Sequence, residues 1–295
     1  MMKERFLAGC MVGLLCAVFS GSASAGLIVD RGLPDSNLNN GAGSDRSNVA
    51  WDLGPQGGSY IAGDDFTIPC SEGRSCGTKY FDYWRIDRVT VWGVAGGYDS
   101  DFQLGDRYDT VSLFLGPDQG EGTVVPRVAT SSVTGDQADA ENIEISRVDY
   151  PNNEGVAYQG SGGGFIQIWE FNFDDLGLFR EGNFLFGLDL MDSDGESSPY
   201  WFNHASNAAL SGTPQEQSDD RYNWYAGNAD MTEIVFGGML DSNGFGWDKS
   251  SDINIQVYAT YLETRIPEPN ILALFVGGGG LLLVMLWGRR SYPRC

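Results

Sequence analysis

Apolar and polar residues alternate with a period of two along much of the chain between residues 59 and 265. The clearest case is residues 252–262, where every second residue from Ile253 to Tyr261 is apolar. Because successive side chains of a strand point to opposite faces, this alternation predicts half-buried β-strands. Further strands are predicted over residues 84–94, 109–116, 164–173, 183–190, 221–226 and 233–240.

The predicted strands are short, and the residues between them are rich in Gly, Asp and Asn, which favour turns. No segment between residues 26 and 265 shows the 3.6-residue periodicity of an amphipathic helix. We therefore predict one all-β domain over residues 59–265, built as an antiparallel β-sandwich or jelly roll. The Gly, Asn, Asp and Pro content of residues 26–58 predicts an irregular leader before this domain.

The first 25 residues have the layout of a secretory signal peptide. Basic residues precede an apolar stretch, and small residues follow it. Ala23 and Ala25 form the A-x-A pattern of a cleavage site, which predicts a mature chain that starts at Gly26. The sequence therefore predicts export.

A second apolar segment, residues 270–288, contains no charged residue. A helix of this length spans about 28 Å, close to the hydrocarbon thickness of a bilayer. Arg289, Arg290 and Arg294 follow it, and the positive-inside rule places such a basic tail in the cytoplasm. We predict a C-terminal transmembrane helix with the preceding domain outside.

Pro267, Glu268 and Pro269 lie directly before this apolar segment. A Pro-Glu-Pro motif, one hydrophobic helix and a short basic tail, in this order, closely resemble the PEP-CTERM sorting signal, here over residues 266–295. The resemblance implies recognition by an exosortase, a membrane-embedded cysteine transpeptidase, with processing near the motif. It also implies a Gram-negative host that makes exopolysaccharide. The anchor in the inner membrane would then be transient, and the protein would reach the cell surface or the extracellular matrix.

The segment between the two targeting regions is strongly acidic. The chain has 18 Lys and Arg and 40 Asp and Glu, and the targeting regions hold five of the basic and two of the acidic residues. Thirteen basic and 38 acidic residues remain, a net charge of −25. Such a surface repels phosphate backbones, which argues against a nucleic-acid partner. Neutral polysaccharides and divalent cations are better candidates.

Cys70 and Cys76 are the two cysteines left between the targeting regions. An even pair in an exported domain indicates a disulfide bond. For so short a loop, loop entropy gives a stabilisation of about 2 kcal/mol. A zinc site is not indicated, because two cysteines and one histidine supply too few ligands.

His204 is the single histidine of the chain, so a Ser-His-Asp or Cys-His site would have to use it. No Gly-x-Ser-x-Gly motif is present, and both remaining cysteines are predicted to be paired. We therefore predict a structural or surface histidine, no catalytic residues and no enzyme.

Acidic clusters recur in the predicted turns, and one of them contains Asp192, Asp194 and Glu196. Carboxylates suit Ca²⁺, but the spacing differs from an EF-hand because Leu190 stands where the first ligand is required. No set of metal ligands can be selected from the sequence. We predict no obligate cofactor, and Ca²⁺ stays an open alternative.

Residues 199–247 concentrate aromatic side chains among amides and acids. Tryptophan and tyrosine rings can stack on sugar rings while polar groups bind the hydroxyls. Trp201, Trp224 and Trp247 are therefore candidate glycan-binding residues. Packing in the core is the alternative.

These observations favour a non-enzymatic protein of the cell surface or exopolysaccharide matrix that acts through binding or structure. One alternative is a secreted carbohydrate-active enzyme, which would need two carboxylates facing one another in a groove. A Ca²⁺-dependent adhesin is the other alternative.

Overall fold

The computed structural model describes residues 25–34, 49–50, 60–70, 83–96, 102–148, 166–192, 201–204, 217, 221–228, 230–240 and 252–262. Most of the predicted signal peptide, residues 1–24, and the whole predicted sorting tail, residues 266–295, lie outside these ranges. Cys76 and Trp247 lie outside them too. Within the described ranges, no helix is long and apolar enough to cross a membrane.

The described residues form strands and one 3₁₀ turn, Leu104–Asp106. The strands are β1 (Gly26–Asp30), β2 (Val49–Ala50), β3 (Tyr60–Ile68), β4 (Tyr83–Gly96), β5 (Tyr108–Pro117), β6 (Val124–Thr134), β7 (Gln137–Ala138), β8 (Ile143–Arg147), β9 (Ile166–Phe179), β10 (Gly182–Asp192), β11 (Trp201–His204), β12 (Tyr222–Gly227), β13 (Glu233–Leu240) and β14 (Ile255–Leu262). Every pairing between them is antiparallel. The prediction of an all-β, antiparallel fold is confirmed.

Sheet A is organised around β4, a central strand of 14 residues. One edge of β4 pairs with β9, and β9 pairs in turn with β8. On the other edge, residues 83–91 pair with β14 and residues 93–95 pair with β11. β1 continues the sheet beyond β14, and β2 continues it beyond β11.

Sheet B contains a closed ring of six strands in the order β13-β12-β3-β10-β5-β6. The ring is completed where Glu233, Ile234 and Val235 of β13 pair with residues 124–126 of β6. An open sheet would leave unpaired backbone groups on both of these strands, and the closure satisfies them over the paired residues.

The main core lies between sheets A and B and takes alternating residues from each. In β5 these are Val111, Leu113 and Leu115, and in β9 they are Trp169, Phe171 and Phe173. Both sets follow the period-two pattern of residues 109–116 and 164–173, so the predicted buried faces of these two strands are confirmed.

A second, smaller core fills the interior of the ring. All six strands of the ring contribute to it, with the members Ile61, Phe114, Val125, Leu185, Tyr225, Ile234 and Phe236, joined by Met231. Two neighbouring strands of sheet B are consequently buried on both faces over part of their length: residues 111–116 of β5 and 184–190 of β10 are buried without interruption. The prediction of half-buried strands is wrong for these two, because the ring closes over the face that a simple sandwich would leave in water.

The leader over residues 26–58 is not irregular throughout, and that prediction is wrong at its N-terminal end. Gly26–Asp30 form β1, and Val29 is fully buried in the main core. The apolar residues 27–29 of β1 are too few to show a period-two alternation. Their strand conformation therefore comes from pairing with β14.

The first and last strands of the described chain are neighbours. Gly26 at the start of β1 pairs with Ala259, and β14 ends three residues later at Leu262. Because the two strands are antiparallel, the start of β1 and the end of β14 lie at the same end of sheet A.

Candidate functional site: a polar groove on sheet A

The outer face of sheet A carries a groove with a volume of about 480 Å³, which we call the polar groove. Three strands provide its polar lining: Asp87, Arg88, Thr90 and Trp92 from β4, Glu170, Asn172 and Asp174 from β9, and Gln256 and Tyr258 from β14. The volume falls within the range of about 300–1,000 Å³ that is usual for ligand pockets. The groove residues largely alternate with the core residues of the same strands, so the pattern that fills the core also builds the groove.

The centre of the polar groove is a chain of hydrogen bonds between β4 and β9. Trp92 Nε1 donates to Glu170 Oε2 at 3.0 Å, and Asn172 Nδ2 donates to Glu170 Oε1 at 2.9 Å. Thr90 Oγ1 donates to Asn172 Oδ1 at 2.6 Å. Trp92 and Glu170 are direct cross-strand partners, as are Thr90 and Asn172. The sheet register therefore fixes these contacts.

One end of the groove holds an ion pair between Arg88 and Asp174. The guanidinium donates from Nε to Oδ1 at 2.6 Å and from Nη2 to Oδ2 at 2.9 Å, which is a bidentate contact. The hydrogen bond to Asp174 raises the pKa of Arg88 above its ordinary value. Both side chains are more than a third exposed, so water screens the pair and its stabilisation is at most about 1 kcal/mol.

Asp87 is the third carboxylate of the groove and is held from two sides. Arg85 Nε donates to its Oδ1 at 2.6 Å, and Thr260 Oγ1 donates to its Oδ2 at 2.6 Å. With the contacts of Glu170 and Asp174, all six carboxylate oxygens of the groove accept a hydrogen bond from a neighbouring side chain. Each oxygen has a second lone pair, so each can still accept one hydroxyl donor.

β14 and β1 form the other side of the groove. Tyr258 donates its hydroxyl to Gln256 Oε1 at 3.0 Å, and Gln256 Nε2 donates to Asp30 Oδ1 at 3.1 Å. Leu27 is the cross-strand partner of Tyr258 and is 42% exposed. A partly exposed aromatic ring and an exposed aliphatic side chain therefore adjoin the row of fixed acceptors.

A second concentration of charge is buried between the sheets. We call Arg31, Asp64 and Asp252 the buried charge cluster, since each of them is at most 1% exposed. Arg31 Nη1 donates to Asp64 Oδ2 at 2.6 Å and lies 3.7 Å from Asp252 Oδ1. Its Nη2 donates to the Asp65 carbonyl at 2.7 Å. The cluster joins the end of β1 to β3 and to the residues before β14.

Burial controls the electrostatics of Asp64. Desolvation raises the pKa of Asp64 well above its ordinary value, against the opposing effect of Arg31. The backbone N–H groups of Ile253 and Asp65 donate to the two carboxylate oxygens at 2.7 and 2.8 Å. The carbonyl of Asp64 accepts from the hydroxyl of Tyr225 at 3.2 Å, and burial raises the pKa of that tyrosine. These contacts place Asp64 at the junction of both cores.

His204 is fully buried beside this cluster. Its Nδ1 lies 2.7 Å from Asn254 Oδ1, and the backbone N–H of Asn254 donates to the His204 carbonyl at 3.0 Å. Asn254 Nδ2 also donates to the Arg31 carbonyl at 3.0 Å. These contacts hold β11 against the entry of β14, so of the predicted structural or surface roles the structural one fits His204.

Trp201 and Trp224, the two predicted glycan-binding tryptophans that the structure describes, do not form one surface. Trp201 is only 7% exposed, and its ring packs edge-on against Tyr108 and Phe171 in the main core. The prediction of a sugar-stacking role is therefore wrong for Trp201, and the packing alternative is correct. Trp224 of β12 lies on sheet B over Gly237, where a Cβ would come within 2.2 Å of the indole. Trp247 lies outside the described residues.

The other predicted sites are only partly within the described chain. Cys70 is disulfide-bonded, and its pairing with Cys76 stays a prediction because Cys76 is not described. Ala25 and Gly26 are described, whereas Ala23 is not. The sorting motif Pro267, Glu268 and Pro269 also lies outside the described residues, as do the basic residues Arg289, Arg290 and Arg294.

The acidic clusters do not converge on a metal site in the part of the chain that the structure describes, where no group of three or more His, Cys, Asp or Glu could hold an ion. Asp192 Oδ2 lies 3.9 Å from Arg107 Nη2. Asp194 and Glu196 lie outside the described residues.

Sequence reasoning missed the polar groove. The signal was present at Glu170, Asn172 and Asp174, which occupy every second position opposite the apolar face of β9. A similar series, Arg88, Thr90 and Trp92, lies on β4. The pairing of these two series depends on a long-range register that the local pattern does not contain.

The fold and the groove define an all-β, two-sheet domain with a preformed acidic surface. A scan against protein-family models, a search of curated proteins and a search of solved structures each returned no match.

Proposed function

We propose that this protein is an exported, non-enzymatic binding protein of the cell surface or exopolysaccharide matrix, sorted by an exosortase, and that the polar groove holds a neutral polysaccharide. The observation that carries the proposal is the set of six carboxylate oxygens in the groove, each fixed by a hydrogen bond from a neighbouring side chain. Fixed acceptors with a spare lone pair suit the hydroxyl groups of a sugar chain.

The positions of Glu170 and Asp174 argue against hydrolysis by this pair of carboxylates. A glycosidase needs one carboxylic acid that can donate a proton, and a second carboxylate about 5 to 9.5 Å away. Glu170 and Asp174 are four residues apart on one strand, so their backbones are separated by about 13 Å. Each of these carboxylates also accepts two hydrogen bonds from neighbouring side chains.

The charge of the domain favours a neutral ligand. A net charge of −25 between the targeting segments repels polyanions at long range. The groove itself adds three carboxylates and one arginine, so an acidic polysaccharide would meet repulsion there as well. Tyr258 and the adjoining Leu27 offer apolar surface for a sugar face.

The Tyr258→Ala variant tests the groove. We expect its affinity for the neutral exopolysaccharide fraction of the host to fall about tenfold, roughly 1.4 kcal/mol, because the stacking surface is lost. Isothermal titration calorimetry with that fraction, and with dextran as a defined neutral glucan, measures the change.

Tyr83→Ala is the matched control, since Tyr83 is also a partly exposed tyrosine of sheet A but does not line the groove. Its affinity should stay unchanged, and the melting temperatures of both variants should be compared. Equal loss of affinity in both variants, or no binding by the unmodified protein, would contradict the groove assignment.

Export and sorting are tested at the two ends of the chain. Mass spectrometry of the protein recovered from its host should show a start at Gly26 and an end near Pro267-Glu268-Pro269. The signal peptide pattern and the tripartite tail motivate this expectation. A recovered chain that keeps residues 270–295 would instead indicate a stable single-span anchor and would remove exosortase processing from the proposal.

A further inference from the structure

The start of β1 and the end of β14, which connect to the predicted signal peptide and the predicted membrane helix, lie on the same side of the domain. Gly26 pairs with Ala259, and β14 ends at Leu262, so the predicted signal peptide and the predicted membrane helix are attached at one end of sheet A. Residues 263–269 separate Leu262 from the apolar segment. Even when fully extended, this connection spans only about 25 Å.

That end of sheet A carries a small surface that we call the terminal patch, formed by Tyr83, Arg85, Leu178, Arg180 and Leu262. The register makes Leu262 the partner of Tyr83 and Leu178 the partner of Arg85, so these residues share the outer face. The guanidinium carbon of Arg180 lies 5.7 Å from the centre of the Tyr83 ring.

The composition of the terminal patch differs from the rest of this acidic domain. Leu178 is 60% exposed, more than the other large apolar side chains recorded as exposed in the described chain. Arg85 is 47% exposed at its side chain and Arg180 is also exposed, while Asp87, the ion-pair partner of Arg85, is only 18% exposed. Glu181 is the acidic residue next to Arg180 in the connection from β9 to β10.

Aromatic, aliphatic and arginine side chains together are typical of surfaces at the boundary between water and lipid. Tyrosine places its ring among the headgroups, and arginine keeps its charge at the phosphates while its stem covers apolar surface. An exposed leucine near the end of a strand can enter the upper acyl region.

We propose that the terminal patch lies against the outer leaflet of the membrane in which the C-terminal segment is anchored, and that it orients the domain with this end toward the lipid until the anchor is removed. The inference rests on the proposed export and anchoring, and it adds a second contact between protein and lipid. It also places the polar groove, which begins at Asp87 on the same face, close to the membrane surface.

Photo-cross-linking tests this orientation. The full-length chain is reconstituted into vesicles of phosphatidylethanolamine and phosphatidylglycerol, with a photoreactive phenylalanine analogue in place of Leu178. We expect lipid adducts at this position after irradiation, detected by mass spectrometry. The matched control carries the analogue in place of Met239, which is 45% exposed on sheet B, and we expect no adduct above background there.

A double variant, Arg85→Gln with Arg180→Gln, keeps Leu178 exposed and tests the arginines. With the analogue at position 178, the adduct yield should fall in vesicles that contain phosphatidylglycerol and should lose its dependence on that lipid. A yield unaffected by the double variant would overturn the role of the arginines.

Flotation of the vesicles separates this inference from the proposal on which it rests. Protein that floats but gives no adduct at position 178, or equal adducts at positions 178 and 239, overturns the patch contact and leaves the anchor intact. Protein that does not float overturns the anchor and the patch contact together. Neither result changes the calorimetric test of the polar groove.

Discussion

Replacing Arg31 with alanine is expected to lower the free energy of unfolding by about 3 to 5 kcal/mol, the usual cost of removing one partner from a buried ion pair. Arg31 is 1% exposed and contacts Asp64 at 2.6 Å and Asp252 at 3.7 Å. Its loss leaves two buried carboxylates without their cation. Urea unfolding of the exported domain, followed by tryptophan fluorescence, measures the difference.

Arg85→Ala is the matched control for Arg31. Arg85 also contacts an aspartate at 2.6 Å, but its side chain is 47% exposed, so the expected change is at most about 1 kcal/mol. The Arg31→Met variant adds a second comparison, because it keeps an aliphatic stem and removes the guanidinium with its charge and hydrogen-bond donors. If Arg31→Ala were no more destabilising than Arg85→Ala, the buried charge cluster would not hold the sheets together as described.

Gly63→Ala is expected to destabilise the domain by about 3 kcal/mol or more, at or above the upper part of the range for overpacked cores. A Cβ at this position would lie 2.0 Å from the Phe186 carbonyl oxygen and 2.6 Å from the Tyr225 ring. The first of these is a backbone atom, so a side-chain rotation cannot relieve it. Gly187, the cross-strand partner of Gly63, is crowded by Ile234 from the far side of the ring.

The control for Gly63 is Gly26→Ala. Gly26 also lies in a strand, but its nearest crowding atom would be 4.0 Å from an added Cβ, so stability should change little. Thermal unfolding of both variants is compared with that of the unmodified protein. A Gly63→Ala variant with an unchanged melting temperature would show that β3 and β10 can separate without cost, against the close approach of Gly63 to the Phe186 carbonyl.

The alternation of apolar residues predicted those parts of the fold that depend on one strand at a time. In β14 the side chains of Ile255 and Val257 are buried, and in β9 those of Trp169, Phe171 and Phe173 are buried, as the pattern requires. Each of these strands has one apolar face, so period two is visible in the sequence.

The parts that escaped prediction depend on pairings between distant segments. Closure of the ring requires residues 124–126 to pair with Glu233–Val235, and the local sequence pattern does not predict this pairing. Because charged side chains are rarely buried without a partner, the sequence alone would place Arg31 at the surface. Its partner Asp64 lies 33 residues away, and only the folded chain brings them together.

The tryptophans illustrate the same limit at the level of function. The residues around Trp201 in the sequence are compatible both with sugar stacking and with packing in the core. Which of the two roles the ring has depends on the side chains that cover it. Tyr108 and Phe171 cover it, and they belong to strands far away in the sequence. The polar groove escaped prediction because its acceptors are ordinary polar positions until β4 and β9 pair.

The pairing of β1 with β14 also sets an order on maturation. Asp30 and Gln256, which contact each other across these strands, are 226 residues apart. A chain exported from its N-terminus, as proposed, would present β1 long before β14. Until β14 emerges, Val29 and Arg31 lack their places in the core, and sheet A keeps an open edge. Contacts so distant in sequence form slowly. If the chain is exported as proposed, the domain stays incomplete during transport and closes only when nearly the whole chain has passed, just ahead of the predicted membrane segment.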